Sequence, residues 1–417
     1  MKVVIIFGTL FNQRDYQRFG IETLEANGFE VEVWCCTPFL YQSAYQGVKV
    51  VDPIKYLGHR LFQTKGELVT AINALPSSSW VISKIGFGRT ALSIYRLLYR
   101  RRIRLGFTTG NPLPLPLHNS VGRQAKFWEK VKRVKPHKLH KSLFSLTYRL
   151  YIRFLEAQIR PACTFVVAAG ANTLQHFRWT LSEQTDVLWA HVPDYDIYLG
   201  VKDEPTQVDE NVGVFLDSYM PFHPDCVFVG RPPLGGPDEY YPIVCSFFDW
   251  VEREHSVRVV IAAHPRSDYD NHPDYFGGRP VIKNKTAKLI KQSRFVLTSH
   301  ACTAMNYAVL FGKPALFLQL DAIINSLRYG TNEGEMFQEM TRVLGKKPFT
   351  LHNVHSVDWE YEMRVDEAAY AWYRNAYIKR DGSAEKLYWQ IVADYFHQMN
   401  DQLYSPQIKA ASGNVPV

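Results

Sequence analysis

The stretch VRVVIAAHPRSD, residues 257–268, decides how this chain folds. Its first part is apolar and rich in β-branched residues, which reads as a buried strand. The strand stops at His264, and Pro265, Arg266, Ser267 and Asp268 follow at once. About thirty residues later VLTSHACTAMNYAV (296–309) repeats the design, with Ser299, His300 and Thr303 at the exit of an apolar run. The expectation is that these two strand ends hold one anionic ligand between them.

Outward from these stretches the chain alternates strand and helix. In the second half NVGVFLD, CVFVG, EYYPIVCSFFDWVEREH, RPVIKN, TAKLIKQS and KPALFL continue the pattern. In the first half KVVIIF, FEVEVWCC, WVISKI, RLGFTT and TFVVAAG read as strands, and DVLWAHVPDYDIYLGVK as a last strand and loop. YQRFGIETLEANG reads as one amphipathic helix with Phe19, Leu24 and Ala26 inward, and RTALSIYRLLYRRR as a crossover helix. Such alternation implies parallel sheets covered on both faces. The fold class expected is therefore α/β, with two Rossmann-like domains whose parallel sheets face a central cleft. The polar segment KDEPTQVDE (202–210) marks the boundary. It separates a first domain over 1–203 from a second over 204–350, with helices over 351–417 returning to the first.

The bulk properties fit this picture. A chain of 417 residues is natural for two cores, and 46% hydrophobic with 21% charged residues is ordinary globular composition. The start MKVVIIFGTLF reads as a buried strand, not a signal peptide, and no run is long enough for a transmembrane helix. Six cysteines without a CxxC argue against a zinc site or a disulfide framework and for a reducing cytoplasm.

The net charge of +8 is concentrated in one place. Residues 118–154 carry ten Lys and Arg against Glu129 alone, interleaved with Phe127, Trp128, Leu139, Leu143, Phe144 and Leu146. This basic insertion, about 112–155, suits an anionic membrane surface. A solvated charged face or a single-stranded nucleic acid site would look similar. The apolar residues are mostly Leu and Phe at helical spacing, which favours the membrane and argues against nucleic acid.

In open parallel sheets ligands sit beyond the carboxyl ends of the strands. The strand exits are therefore the candidate site. His264, Pro265, Arg266, Ser299, His300 and Thr303 would bind a phosphate, the last three at a helix N-terminus. Serine there would equally serve as a plain cap. Asp217 and Tyr219 end the first strand of the second half, and His223 follows. In the other half Gly8, Arg14, Asp15 and Arg18 occupy a loop and helix start. Asp15 would act as a general base on an acceptor hydroxyl or cap the helix. Asn111 opens the irregular NPLPLPL segment. Asp194 and Asp196 share a face if extended, and are read as hinge or substrate contacts. GFGRTA (86–91) fits G-x-G-x-x-A but lacks the acidic ribose partner, so a dinucleotide is not expected.

HP at 264–265 followed by SHACTA at 299–304 resembles the HP and serine/threonine motifs of bacterial sialyltransferases and related Kdo and capsule transferases, which are GT-B glycosyltransferases. The stretches RDYQRFGIE, PDYDIYL, VFLDSYMPFHPD, HPR, AVLFGKPALFL and YIKRDGSAEKLYWQIVADYF are similar to surface-polysaccharide transferases of nonulosonic-acid pathways, pseudaminic and legionaminic. Cys302 departs from the usual paired Ser/Thr.

The resemblance implies a GT-B fold and transfer of a sugar from a CMP-linked donor, with no cofactor and no metal. His264, Pro265, Ser299 and Thr303 would hold the donor phosphate. Asp15 would activate a glycan or lipid-linked acceptor, contacted by Gly8, Arg14, Arg18, Asn111, Asp194 and His223. Such an enzyme works in the cytoplasm at the inner face of the membrane. A Kdo, UDP-sugar or CDP-polyol transferase on the same fold is the nearest alternative. A non-catalytic nucleotide- or glycan-binding partner is another.

Overall fold

The strand KVVIIF occupies β1 (Lys2–Phe7), and Val3 to Ile6 are wholly buried in it. A strand covered on both faces needs a continuous apolar run, and this one has it. The computed structural model describes residues 1–411 except 48, 49, 51, 87, 116–146, 148, 149, 152, 156, 159–161, 178, 179, 224, 229–231 and 327–331. The basic stretch 118–154, with the insertion around it, falls largely outside the described residues.

The first domain adds β2 (Glu30–Cys35), β3 (His59–Leu61), β4 (Trp80–Lys84), β5 (Arg104–Thr108), β6 (Cys163–Ala168) and β7 (Asp186–Trp189). The second has β8 (Asp209–Leu216), β9 (Arg258–Ala263), β10 (Val281–Lys283), β11 (Ser293–Thr298) and β12 (Ala315–Phe317). The sheets run β3-β2-β1-β4-β5-β6-β7 and β10-β9-β8-β11-β12, and every pairing within them is parallel. These are two Rossmann-like domains, as expected from the alternation of elements.

Both sheets follow one plan. The first strand of each, β1 and β8, lies inside the sheet, and strand order reverses beside it. Such a reversal opens a crevice at the carboxyl ends of the strands, where ligands bind. The loops after β1 and β8 therefore stand at the two switch points, with those after β4, β9 and β11 beside them.

Several local expectations are corrected. The segment after β1 is two helices, α1 (Gln13–Arg18) and α2 (Ile21–Ala26), because Gly20 sits at φ 57 between them. Phe19 and Leu24 are buried as expected, but Ala26 is exposed. The crossover helix is α3 (Arg89–Arg100). The stretch holding Asp194 and Asp196 is α4 (Pro193–Val201), begun by Pro193 at its first turn, so it is neither strand nor loop. Cys226, Val227 and Phe228, read as the start of a strand CVFVG, end the short helix Asp225–Phe228 instead. After α5 (Pro237–His255), the helix that follows β11 begins only at Met305, as α6 (Met305–Leu310).

The last long helix, α7 (Tyr388–Ala411), returns to the first domain. Trp389, Val392 and Phe396 pack with Val3, Ile5, Trp80 and Phe165 in one core. Val354, Tyr370 and Tyr373, which precede it, belong to the core of the second sheet, as do Val192, Tyr195 and Val201. The second core thus also takes in Ala169, residues of α4 and the chain up to Ile378.

Candidate active site

The carboxyl ends of both sheets open onto one cleft of about 1410 Å³. Ordinary small-molecule pockets span about 300–1,000 Å³, so this cleft has room for two small molecules. The wall formed by the second domain is built around Asp217, directly after β8. Its carboxylate accepts the Tyr219 N–H at 2.9 Å, the His264 N–H at 3.1 Å and the Tyr269 hydroxyl at 3.0 Å. Burial outweighs these bonds and pushes Asp217 up to about 6. Asp217 thus ties the β8 exit to the β9 exit.

His264 is held in a fixed orientation. Its Nδ1 accepts the Arg266 N–H at 3.2 Å, so the neutral ring carries its proton on Nε2. The Tyr219 ring lies parallel to it, with centroids 6.4 Å apart and planes at 11°. Tyr219 reaches this place from a left-handed backbone, φ 55, a strained conformation that clusters at functional turns. The His223 ring centroid lies 5.1 Å from that of His264. Burial first, then the charges of His223, Arg266, Arg14 and His300, bring His264 down to about 2. Burial and His223 bring His300 down to about 3. Burial lowers His223 too. The three rings are thus held as neutral donors and acceptors along one wall of the cleft.

The other expected residues divide. Pro265, Arg266, His300 and Thr303 line the cleft, as do Asp217 and His223. Arg266 pairs with Asp225 at 2.9 Å. Ser299 does not line the cleft: it is fully buried, with its hydroxyl 3.5 Å from that of Tyr240. Ser299, His300 and Thr303 also precede α6 by two to six residues, so they are not in its first turn. Tyr219 lies behind His264, outside the cleft lining.

The wall formed by the first domain carries α1. Asn12 caps this helix by accepting the Asp15 N–H at 2.9 Å, which leaves the Asp15 carboxylate uncommitted to capping. Arg14 and Arg18 line the cleft one turn apart. Asp15 is half-buried beside them and does not itself line the cleft. Burial raises its pKa while Arg18, Arg14, Lys84 and, across the cleft, Arg266 oppose that rise. Gly8 is away from the cleft lining, and a Cβ there would meet Tyr41 Cε2 at 2.8 Å.

Asn111 and Asp194 meet at the cleft floor. Asp194 accepts from Asn111, from Asn306 Nδ2 at 3.2 Å and from the Tyr307 hydroxyl, so it bridges the two domains. Burial nonetheless raises it. Asp196 is separate: it accepts the Tyr388 N–H at 2.8 Å and lies 3.6 Å from His191 Nε2. The two aspartates therefore do not form a pair.

Lys84 escaped the sequence reading. It ends β4, donates to the Thr108 hydroxyl at 2.9 Å, and lies over the Phe19 ring at 5.4 Å. Desolvation brings it down to about 8. A charged residue closing an apolar strand was the signal that singled out Asp217, and WVISK shows it too. Asn306 and Tyr307, in an otherwise apolar helix, gave no such signal.

No protein-family model matches the sequence, and no curated protein matches it. Solved structures of similar chain path include MurG of Acinetobacter baumannii, 10% identical over 95% of this chain and 99% of that one, with TM-score 0.47. The glycosyltransferase SnogD of Streptomyces nogalater is 11% identical over 96% and 99%, with TM-score 0.45. A UDP-GlcNAc 2-epimerase of Methanocaldococcus jannaschii is 11% identical over 89% and 98%, with TM-score 0.41. These are distant likenesses of path and do not bear on the ligand.

Proposed function

We propose that this protein is a glycosyltransferase. It moves a sugar, a nonulosonic acid of the pseudaminic, legionaminic or sialic type, from a CMP-activated donor to a glycan acceptor. The observation that carries this reading is the convergence in one cleft of His264, Arg266, His300 and Thr303 from the second domain with Arg14 and Arg18 from the first, with Asp15 beside those arginines. The HP and SHACT stretches support CMP as the donor nucleotide through the resemblance they carry.

In this scheme the donor lies on the second domain, with its phosphate at His264 Nε2 and the Thr303 hydroxyl. Arg266 stands beside them. The acceptor hydroxyl attacks the anomeric carbon, and the carbon–oxygen bond to the phosphate breaks. The phosphate leaves with the electron pair, and the donors around it meet the charge that develops. Asp15 takes the acceptor proton. Partial desolvation makes it a stronger base than an exposed carboxylate. Asp194, engaged by three donors, holds the walls in register instead.

A lipid-linked acceptor would explain the basic stretch 118–154, which would hold the enzyme at the anionic inner face of the membrane. Among the described residues no helix is long and apolar enough to cross a membrane.

The test is release of CMP. Purified protein is incubated with CMP-pseudaminic, CMP-legionaminic and CMP-sialic acid, alongside UDP-sugars, and free nucleotide is followed. CMP released from one of these donors, and not by His264→Ala, supports the reading. Turnover of UDP-sugars alone would replace CMP with UDP.

A further inference from the structure

The cleft lining mixes cations and carboxylates, and two of its arginines, Arg14 and Arg18, lie on the wall opposite the histidines. Arg14 and Arg18 are exposed to the cleft from α1. Among the described residues neither guanidinium makes an ion pair or a side-chain hydrogen bond, whereas Arg266 opposite is paired with Asp225. Arg14 feels the repulsion of Arg18 and, across the cleft, of Arg266. Lys84 feels that of Arg18.

Two carboxylates, Asp15 and Asp194, act on Arg14, and neither forms an ion pair with it. Asp194 is engaged by Asn111, Asn306 and Tyr307. Asp15 is shared among Arg14, Arg18 and Lys84, and burial pushes both acids toward the protonated form.

The arginines are also held in place. Asn12 caps the start of α1. The Trp389 indole donates to the Arg18 carbonyl at 2.8 Å, and Gly20 sits directly over the same ring. Like charges on a braced helix in a partly desolvated cleft repel until an anion joins them. Guanidinium forks match the planar or tetrahedral oxygens of carboxylates and phosphates.

We infer that Arg14 and Arg18 form a second oxyanion subsite, separate from the donor-phosphate position at His264 and Thr303. The transferred sugar or its acceptor then carries a carboxylate or phosphate close to the reacting atoms. This deepens the glycosyltransferase reading of the same cleft and rests on it. The first-domain wall would thereby disfavour neutral sugars, since the arginines would be left desolvated without a partner.

Calorimetry counts the subsite. Wild type is saturated with CMP and then titrated with inorganic phosphate. A second binding event is expected with CMP in place. It weakens at least about 10-fold in Arg14→Gln/Arg18→Gln, while CMP still binds that variant and so reports an intact fold. Phosphate binding that CMP abolishes would overturn the inference, as would a second event that survives in the double variant.

Glucuronate and glucose 6-phosphate, each against glucose, then identify the source as a sugar carboxylate or a phosphate. If inorganic phosphate binds and neither sugar does, the site takes an adventitious ion only and the inference falls. Failure of wild type to bind CMP would refute the donor reading by itself. In that case phosphate titration of His264→Ala, with and without the two arginine changes, still decides whether the second subsite exists.

Discussion

His264 is the residue on which the site turns, and its setting has consequences in solution. The unfolded chain takes up this proton near pH 6.5, while the folded protein refuses it until about 2. Between those values the unfolded state binds more protons, so acidification favours unfolding. The conservative variant His264→Gln removes this proton. It is therefore expected to gain stability relative to wild type as pH falls from 7 to 5, read as the difference between their urea midpoints at each pH. A difference that does not change with pH would show that the imidazole protonates normally in the fold. Asp15 has the opposite kind of role. Asp15→Asn keeps the shape and removes the base, so kcat is expected to fall by about 100-fold or more, with the donor KM nearly unchanged. A large rise in donor KM with kcat retained would assign Asp15 to binding. Ser299 shows where residue-level reading failed. A serine at a strand exit looks available, and only tertiary packing against Tyr240 shows that it is enclosed.

At the scale of elements, α1 and α2 depend on the break at Gly20. Its φ of 57 is strained for any side chain, and a Cβ there would collide with the Trp389 ring. Gly20→Ala is expected to cost about 1–3 kcal/mol and to lower the melting temperature. It should also reduce transfer, because Arg14, Asp15 and Arg18 hang from that support. An unchanged melting temperature would mean that α7 does not brace α1. The sequence could not reveal this brace. Gly20 stands inside a good helical pattern, and its partner lies 369 residues away along the chain. The strands were legible for the opposite reason. Runs such as KVVIIF and VRVVIAA carry their own evidence of burial. The 193–201 helix was misread because Pro193 and two nearby aspartates suggest a loop, whereas both residue types also suit a helix's first turn.

The whole molecule repeats one sheet plan twice, and the two switch points face each other. Alternation in the sequence was enough to announce two such domains. Strand order, and the pairing of α7 with the first sheet, come only from long-range packing. That packing makes the cleft a shared property of both halves. Asp194 reaches Asn306 and Tyr307 across its floor, while the chain leaves the second core after Ile378 and packs α7 into the first. The central claim is that this cleft takes a nucleotide at the His264 wall. The most direct test is calorimetric titration of CMP, CDP, UMP, UDP and GDP into wild type and His264→Ala. The account predicts that CMP binds wild type most tightly of the five and that the variant loses at least about 10-fold in affinity. Equal affinity in the two proteins, or no nucleotide binding by a folded wild type, would contradict it.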